Sequence, residues 1–265
     1  MAFRRMAVSI AAAALALGTA RAESPLQGEW VDLTHTLDET SVFWPTAKAF
    51  HHDAESFGQT EGGYFYSAYN IRTSEHGGTH LDAPIHFAEG AQTADEVPLD
   101  RLIGPAAVID VTEASGSDRD YRFTAQDVLD WEARHGEIAP GAIVLFRTGF
   151  SKFWPDREAY MGTAERGAEA VAQLHFPGLS EAAARLLKER DVAAVGLDTP
   201  SLDYGQSKDF IAHRVLLGAQ IPGFENVTNL DRLPEWGASV IALPAKIGKG
   251  SGAPLRIVAL LPKEE

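Results

Sequence analysis

The chain has 265 residues, no cysteine, 37 acidic against 23 basic residues, and a formal net charge of −14. That length suits one large domain or two small ones, and so acidic a surface disfavours nucleic acid and anionic membranes as partners. The lack of cysteine excludes disulfides and leaves any metal site to nitrogen and oxygen ligands.

In chain order, the first element is a leader. Residues 1–22 join a basic start at Arg4 and Arg5 to an alanine-rich apolar run and a small-x-small ending, Ala20-Arg21-Ala22. This is a secretory signal pattern, too short for a membrane anchor. It predicts a periplasmic or secreted protein cleaved after Ala22, by the Sec or the twin-arginine route. Residues 23–265 contain no linker and no repeat, and are read as one domain. Alternation and β-branched content predict strands over 30–36, 106–111, 142–148, 192–197, 239–245 and 256–261. Two of these, around AIVLF and VAAVGL, are apolar on both faces, as strands covered on two sides should be. Helices are predicted over 124–135, opened by a Thr124/Asp127 capping box and stopped by Gly136; over 163–174; and over 180–190, capped by Ser180. The mixture is α/β or α+β.

Between the first two strands, HGGTHLDAPIH at 76–86 packs three of the nine histidines and an aspartate into one short stretch. Gly77, Gly78 and Pro84 make a continuous helix improbable. In an extended chain His76, His80, Asp82 and His86 share one face, with His80 and Asp82 about 6–7 Å apart along the strand. A straight segment would hold its ends roughly 33 Å apart, so it must bend, at Gly77-Gly78 and near Pro84. Imidazole and carboxylate ligands suit Zn2+, Mn2+ or Fe2+, and three of them leave positions open for water and substrate. Surface histidines beside a turn are the competing reading.

Other residues carry weaker signals. His213 lies in DFIAHRVLL, where a lone histidine reads as packed core, and Glu225 follows the turn-like Pro222-Gly223. Asp198 and Asp203 flank a strand end, serving either a functional loop or turns around Pro200. Trp44 before Pro45 offers a flat ring for an aromatic substrate; Phe43 and Tyr66 are lesser candidates for the same wall. His51-His52 reads as surface, because adjacent side chains diverge in a strand. The glycine-rich 246–252 lacks the spacing of a phosphate loop.

Residues 76–87 resemble the HxGTHxDxPxHF signature of the cyclase-like metal-dependent hydrolases, the family that includes isatin hydrolase and bacterial kynurenine formamidase. Every fixed position is matched. The resemblance extends to Trp44-Pro45, to Asp198-Thr199-Pro200-Ser201-Leu202-Asp203, to the pair His213 and Glu225, and to Pro244, Lys246, Gly250, Gly252, Pro254 and Arg256. It implies a single-domain compact β/β/α swivelling-type fold with a mixed sheet core and flanking helices, assembled as a dimer or tetramer. It implies one or two divalent ions per subunit, Mn2+ or Zn2+, held by His76, His80 and Asp82, with His213 and Glu225 as second-site ligands. His86 is then the proton-transfer residue, and Glu225 is either ligand or base.

The chemistry implied is hydrolysis of a carbon–nitrogen bond in a small aromatic amide by metal-activated water. No cysteine and no GxSxG elbow offer a covalent route. The stretch 201–207 looks like the isatin branch, giving ring opening of isatin to isatinate; hydrolysis of N-formylkynurenine to kynurenine and formate is the alternative. A periplasmic ligand-binding protein without turnover is the reading from another class, and its two lobes would need a longer chain.

Overall fold

The two runs apolar on both faces form the centre of the sheet, as their composition requires. The structure is a computed structural model and describes residues 27–262; the predicted leader, residues 1–22, lies outside them. In chain order the strands are β1 (Glu29–Asp32), β2 (His51–Gln59), β3 (Phe65–Arg72), β4 (His80–Asp82), β5 (Ile103–Asp110), β6 (Arg122–Phe123), β7 (Ile143–Arg147), β8 (Gly178–Leu179), β9 (Ala194–Leu197), β10 (Gly223–Glu225), β11 (Trp236–Pro244) and β12 (Gly252–Leu261). The α-helices are α1 (Thr112–Ser117), α2 (Ala125–His135), α3 (Arg157–Met161), α4 (Glu181–Glu189) and α5 (Ile211–Leu217).

Eight strands make one mixed sheet in the order β1-β12-β11-β5-β7-β9-β10-β4. The strands β5, β7, β9 and β10 run parallel, and the remaining pairings are antiparallel. A further pairing of β4 with β12 closes the sheet on itself. The long strand β12 makes this possible: its start, from Gly252 to Pro254, meets β4, while Val258 to Leu261 meet β1.

Strand alternation then sorts the apolar side chains into two cores. Ile143, Leu145 and Ala194 point inside the closed sheet, with Leu81, Phe224, Val240, Ile257 and Ala259. Val144, Phe146, Val195 and Leu197 point outward and are covered by Val128 and Trp131 of α2, Ala183 and Leu187 of α4, and Ala212 and Leu216 of α5.

Thr124 caps α2 in a reciprocal capping box with Asp127, and Ser180 caps α4 by accepting from Ala183 N–H. The helix predicted over 163–174 is not formed. Gly162 and Gly167 both take positive φ (91° and 97°), and only a 3-10 turn at Ala168–Gln173 remains. Beside the closed sheet, β2 and β3 pair into a separate two-stranded ribbon with almost every residue exposed.

Candidate metal centre

The strand β4 lies between β10 and β12, and its registers assemble the site. His80 is opposite Glu225 and Pro254; Asp82 is opposite Gly223 and Gly252. His80 and Asp82, two residues apart, face the same way. The predicted bends are present: Gly78 adopts φ 61°, and Pro84–His86 forms a 3-10 turn. His76 therefore precedes the strand, and His86 follows it. His213 reaches the same point from α5. Of the sequence candidates, His76, His80, Asp82, His86, His213, Glu225, Phe43 and Trp44 line one cleft of about 290 Å3. Tyr66 does not. It sits on β3, 51% exposed and outside the cleft lining, because its alternation belongs to the separate two-stranded ribbon.

The imidazole protons are fixed by their partners. His80 Nδ1 donates to the carbonyl of Gly78 (2.9 Å), leaving Nε2 toward the carboxylates. His213 Nδ1 donates to Asp203 Oδ2 (2.6 Å) and likewise presents Nε2. His80 Nε2 lies 3.3 Å from Asp82 Oδ1 and 3.4 Å from Glu225 Oε2. His213 Nε2 lies 3.3 Å from Asp82 Oδ2 and 3.3 Å from Glu225 Oε1. Each carboxylate thus offers one oxygen to each histidine, giving two adjoining donor sets. These separations exceed the charge-assisted hydrogen bond of about 2.7–2.9 Å. They match the roughly 3.4 Å edge between ligands placed tetrahedrally about 2.1 Å from an ion. His80 Nε2 and Asp82 Oδ2 are buried with no hydrogen-bond partner, as groups aimed at a cation would be. The donor set fits a divalent metal.

The electrostatics agree. Burial presses the His80 imidazole down, but Asp82 and Glu225 outweigh it and hold it at about 9. Burial likewise opposes charge on His213, and Asp203, Asp82 and Glu225 raise it well above its usual value. Glu225 is pushed up by burial and by repulsion from Asp82. Asp82, despite its burial, is held well below the usual carboxylate range by His76, His213 and His80. Two buried carboxylates need positive charge beside them, and a cation meets that need in place of imidazolium protons.

His86 stacks on His76 with ring centroids 3.9 Å apart and stands edge-on to His213 at 6.1 Å. Burial pushes it down to about 4, so it is neutral near pH 7. The rest of the cleft is aromatic. Phe43 and Trp44 line it, together with Phe87 and Phe210, which sequence reasoning missed although Phe87 closes the motif. Asp203 was legible only as a turn or loop residue, and its contact with His213 supplies its role. Asp198 is buried and holds Thr148 N–H, Thr148 Oγ1 and Gly149 N–H, an anchor for the turn after β7. His51 and His52 are exposed on the ribbon, as expected.

The Cyclase family model matches residues 31–204. The isatin hydrolase of Roseibium aggregatum is 37% identical over 197 residues, covering 71% of this chain and 73% of that protein. The kynurenine formamidase of Salinibacter ruber is 35% identical over 189 residues, covering 71% and 77%. Among solved structures, an isatin hydrolase bound to the product analogue thioisatinate superimposes with TM-score 0.80 at 32% identity, covering 89% of this chain and 93% of the other.

Proposed function

The chain belongs to the cyclase family, and from that premise we propose that it is a metal-dependent amidohydrolase that opens isatin to isatinate. The observation that carries the reading is one cleft in which aromatic walls, Phe43, Trp44, Phe87 and Phe210, adjoin the convergent donors of His76, His80, Asp82, His213 and Glu225. A flat bicyclic amide suits such walls. His76, His80 and Asp82 would hold Mn2+ or Zn2+, with His213 and Glu225 completing one or two sites. A bound divalent cation supplies a Lewis acid for the carbonyl and brings the pKa of water toward neutrality.

The chain's own groups do the rest. His86, neutral and facing the cleft, begins as a proton acceptor. It takes a proton from the attacking water as the new carbon–oxygen bond forms. As the carbon–nitrogen bond breaks it returns that proton to the departing nitrogen. Glu225 Oε1 is pinned by Leu202 N–H at 2.8 Å, so its other oxygen is the freer one. The pair His213 and Glu225 also supports a second reading, hydrolysis of N-formylkynurenine to kynurenine and formate.

A side-by-side assay of both substrates, before and after chelator treatment, tests the proposal. Turnover of isatin that is lost on metal removal and restored by Mn2+ or Zn2+ is the expected result. Preference for the open-chain formamide, or activity that survives metal stripping, would overturn it. Export through the leader, with cleavage after Ala22, and self-association as a dimer or tetramer belong to the same proposal.

A further inference from the structure

His80 and His213 both spend Nδ1 on a fixed acceptor and present Nε2. His76 is turned the other way. Its Nε2 meets Ser251 Oγ at 2.9 Å, and its Nδ1 lies 2.6 Å from Asp82 Oδ1. Ser251 Oγ also meets Glu75 Oε2 at 2.7 Å. A carboxylate only accepts, so the Ser251 hydroxyl spends its single proton on Glu75. Toward His76 it is left as an acceptor, and the ring must supply the proton from Nε2. That leaves Nδ1 as the ring nitrogen directed at Asp82 Oδ1.

The relay is built into the backbone. Glu75 Oε2 also accepts from the N–H groups of Ser251 (2.9 Å) and Gly252 (3.3 Å). Gly252 has no room for a side chain: a Cβ there would stand 2.5 Å from Leu81 O and 2.6 Å from His76 Cε1. The strand that closes the sheet therefore runs against the imidazole edge and delivers the hydroxyl to one nitrogen.

We propose that Ser251 and Glu75 are positioning residues that hold His76 through its Nε2 and so leave Nδ1 as its ligand atom. The proposal rests on the metal reading given above. It deepens that reading by assigning Glu75 and, from the far end of the chain, Ser251 to the ligand's outer support. Partners of this kind typically change metal affinity by about 10–100-fold when removed.

The test uses the full metal-free chain titrated calorimetrically with Mn2+ and with Zn2+. Whether His76 Nε2 carries the proton it donates to Ser251 is read separately by nitrogen-15 NMR in the absence of metal. Ser251→Ala and Glu75→Ala are expected to weaken binding by about 10–100-fold and to lose the hydrogen-bonded Nε2–H signal. Ser251→Thr, which keeps the hydroxyl, restores both. The melting temperature of metal-free Ser251→Ala, expected to match the wild type, separates this effect from misfolding. Undiminished affinity in Ser251→Ala, or an unprotonated Nε2 in the wild type, would overturn the proposal. A wild-type chain that binds neither cation overturns the metal reading, while the Nε2 signal measured without metal still decides the role of Ser251.

Discussion

Asp203 accepts from the backbone N–H of Ala212 (3.0 Å) and of His213 (3.1 Å), from His213 Nδ1 (2.6 Å) and from Ser207 Oγ (3.3 Å). It therefore anchors the first turn of α5 and orients the imidazole that the turn carries. Asp203→Asn keeps the shape but removes the charge and lets the ring choose either tautomer; turnover is expected to fall about 10–100-fold. Steady-state rates on metal-replete enzyme check this, and an unchanged rate would remove Asp203 from the site. A second residue-scale prediction concerns His35, stacked on Trp154 at 4.3 Å with its Nε2 buried and without a partner. Burial pushes its pKa down to about 4 from 6.5. Between these values the unfolded chain binds a proton that the folded one refuses, so stability falls as pH drops through that window and levels off below it. His35→Phe keeps the ring stack and removes the titration. Its stability relative to wild type should rise steadily from pH 6.5 to 4; a constant difference across that range would contradict the assignment.

At the level of elements, the start of β12 is the most exacting stretch. Gly252→Ala forces a methyl against Leu81 O and the His76 ring, and overpacking of this kind costs about 1–3 kcal/mol. Denaturant unfolding of metal-free protein should report that loss, with cation affinity falling alongside; wild-type values for both would mean the strand can shift without consequence. Little of this was legible in the sequence. The central strands were, because β7 and β9 are apolar on both faces, and so were the two capped helices, whose Thr124 and Ser180 signals are local. The histidine stretch was legible as a bent strand because glycine and proline mark the bends. What escaped were relations between distant segments. Ser251 lay in a loop set aside for lacking phosphate-loop spacing, and His213, a lone histidine among apolar residues of Ile211–Leu217, read as core packing until the resemblance paired it with Glu225. Tyr66 was misassigned because alternation tells which side chains share a face, not what that face meets.

For the whole molecule, the unresolved balance is the ribbon of β2 and β3. Phe57, Tyr64, Phe65, Tyr66 and Ile71 are between 51% and 69% exposed on it. An isolated two-stranded ribbon is marginal in water, and clustered exposed aromatics mark an interaction surface. Six such side chains, counting Tyr69 at 41% exposed, suit the self-association proposed above. Replacing Phe57 and Phe65 together by serine is expected to give a smaller particle by light scattering, with the cleft residues untouched. An unchanged mass would assign the assembly to another surface.

The pairing of His76 with Ser251 spans 175 positions, so it can form only once the last segment of the chain has been made. While the ribosome still holds the last segment, His80, Asp82, His213 and Glu225 can already be outside it, yet His76 lacks its partner and β4 lacks one neighbour. A cation bound before the chain is complete would therefore be held more weakly, and a product stopped before residue 251 would carry the whole histidine motif without the support of its first ligand.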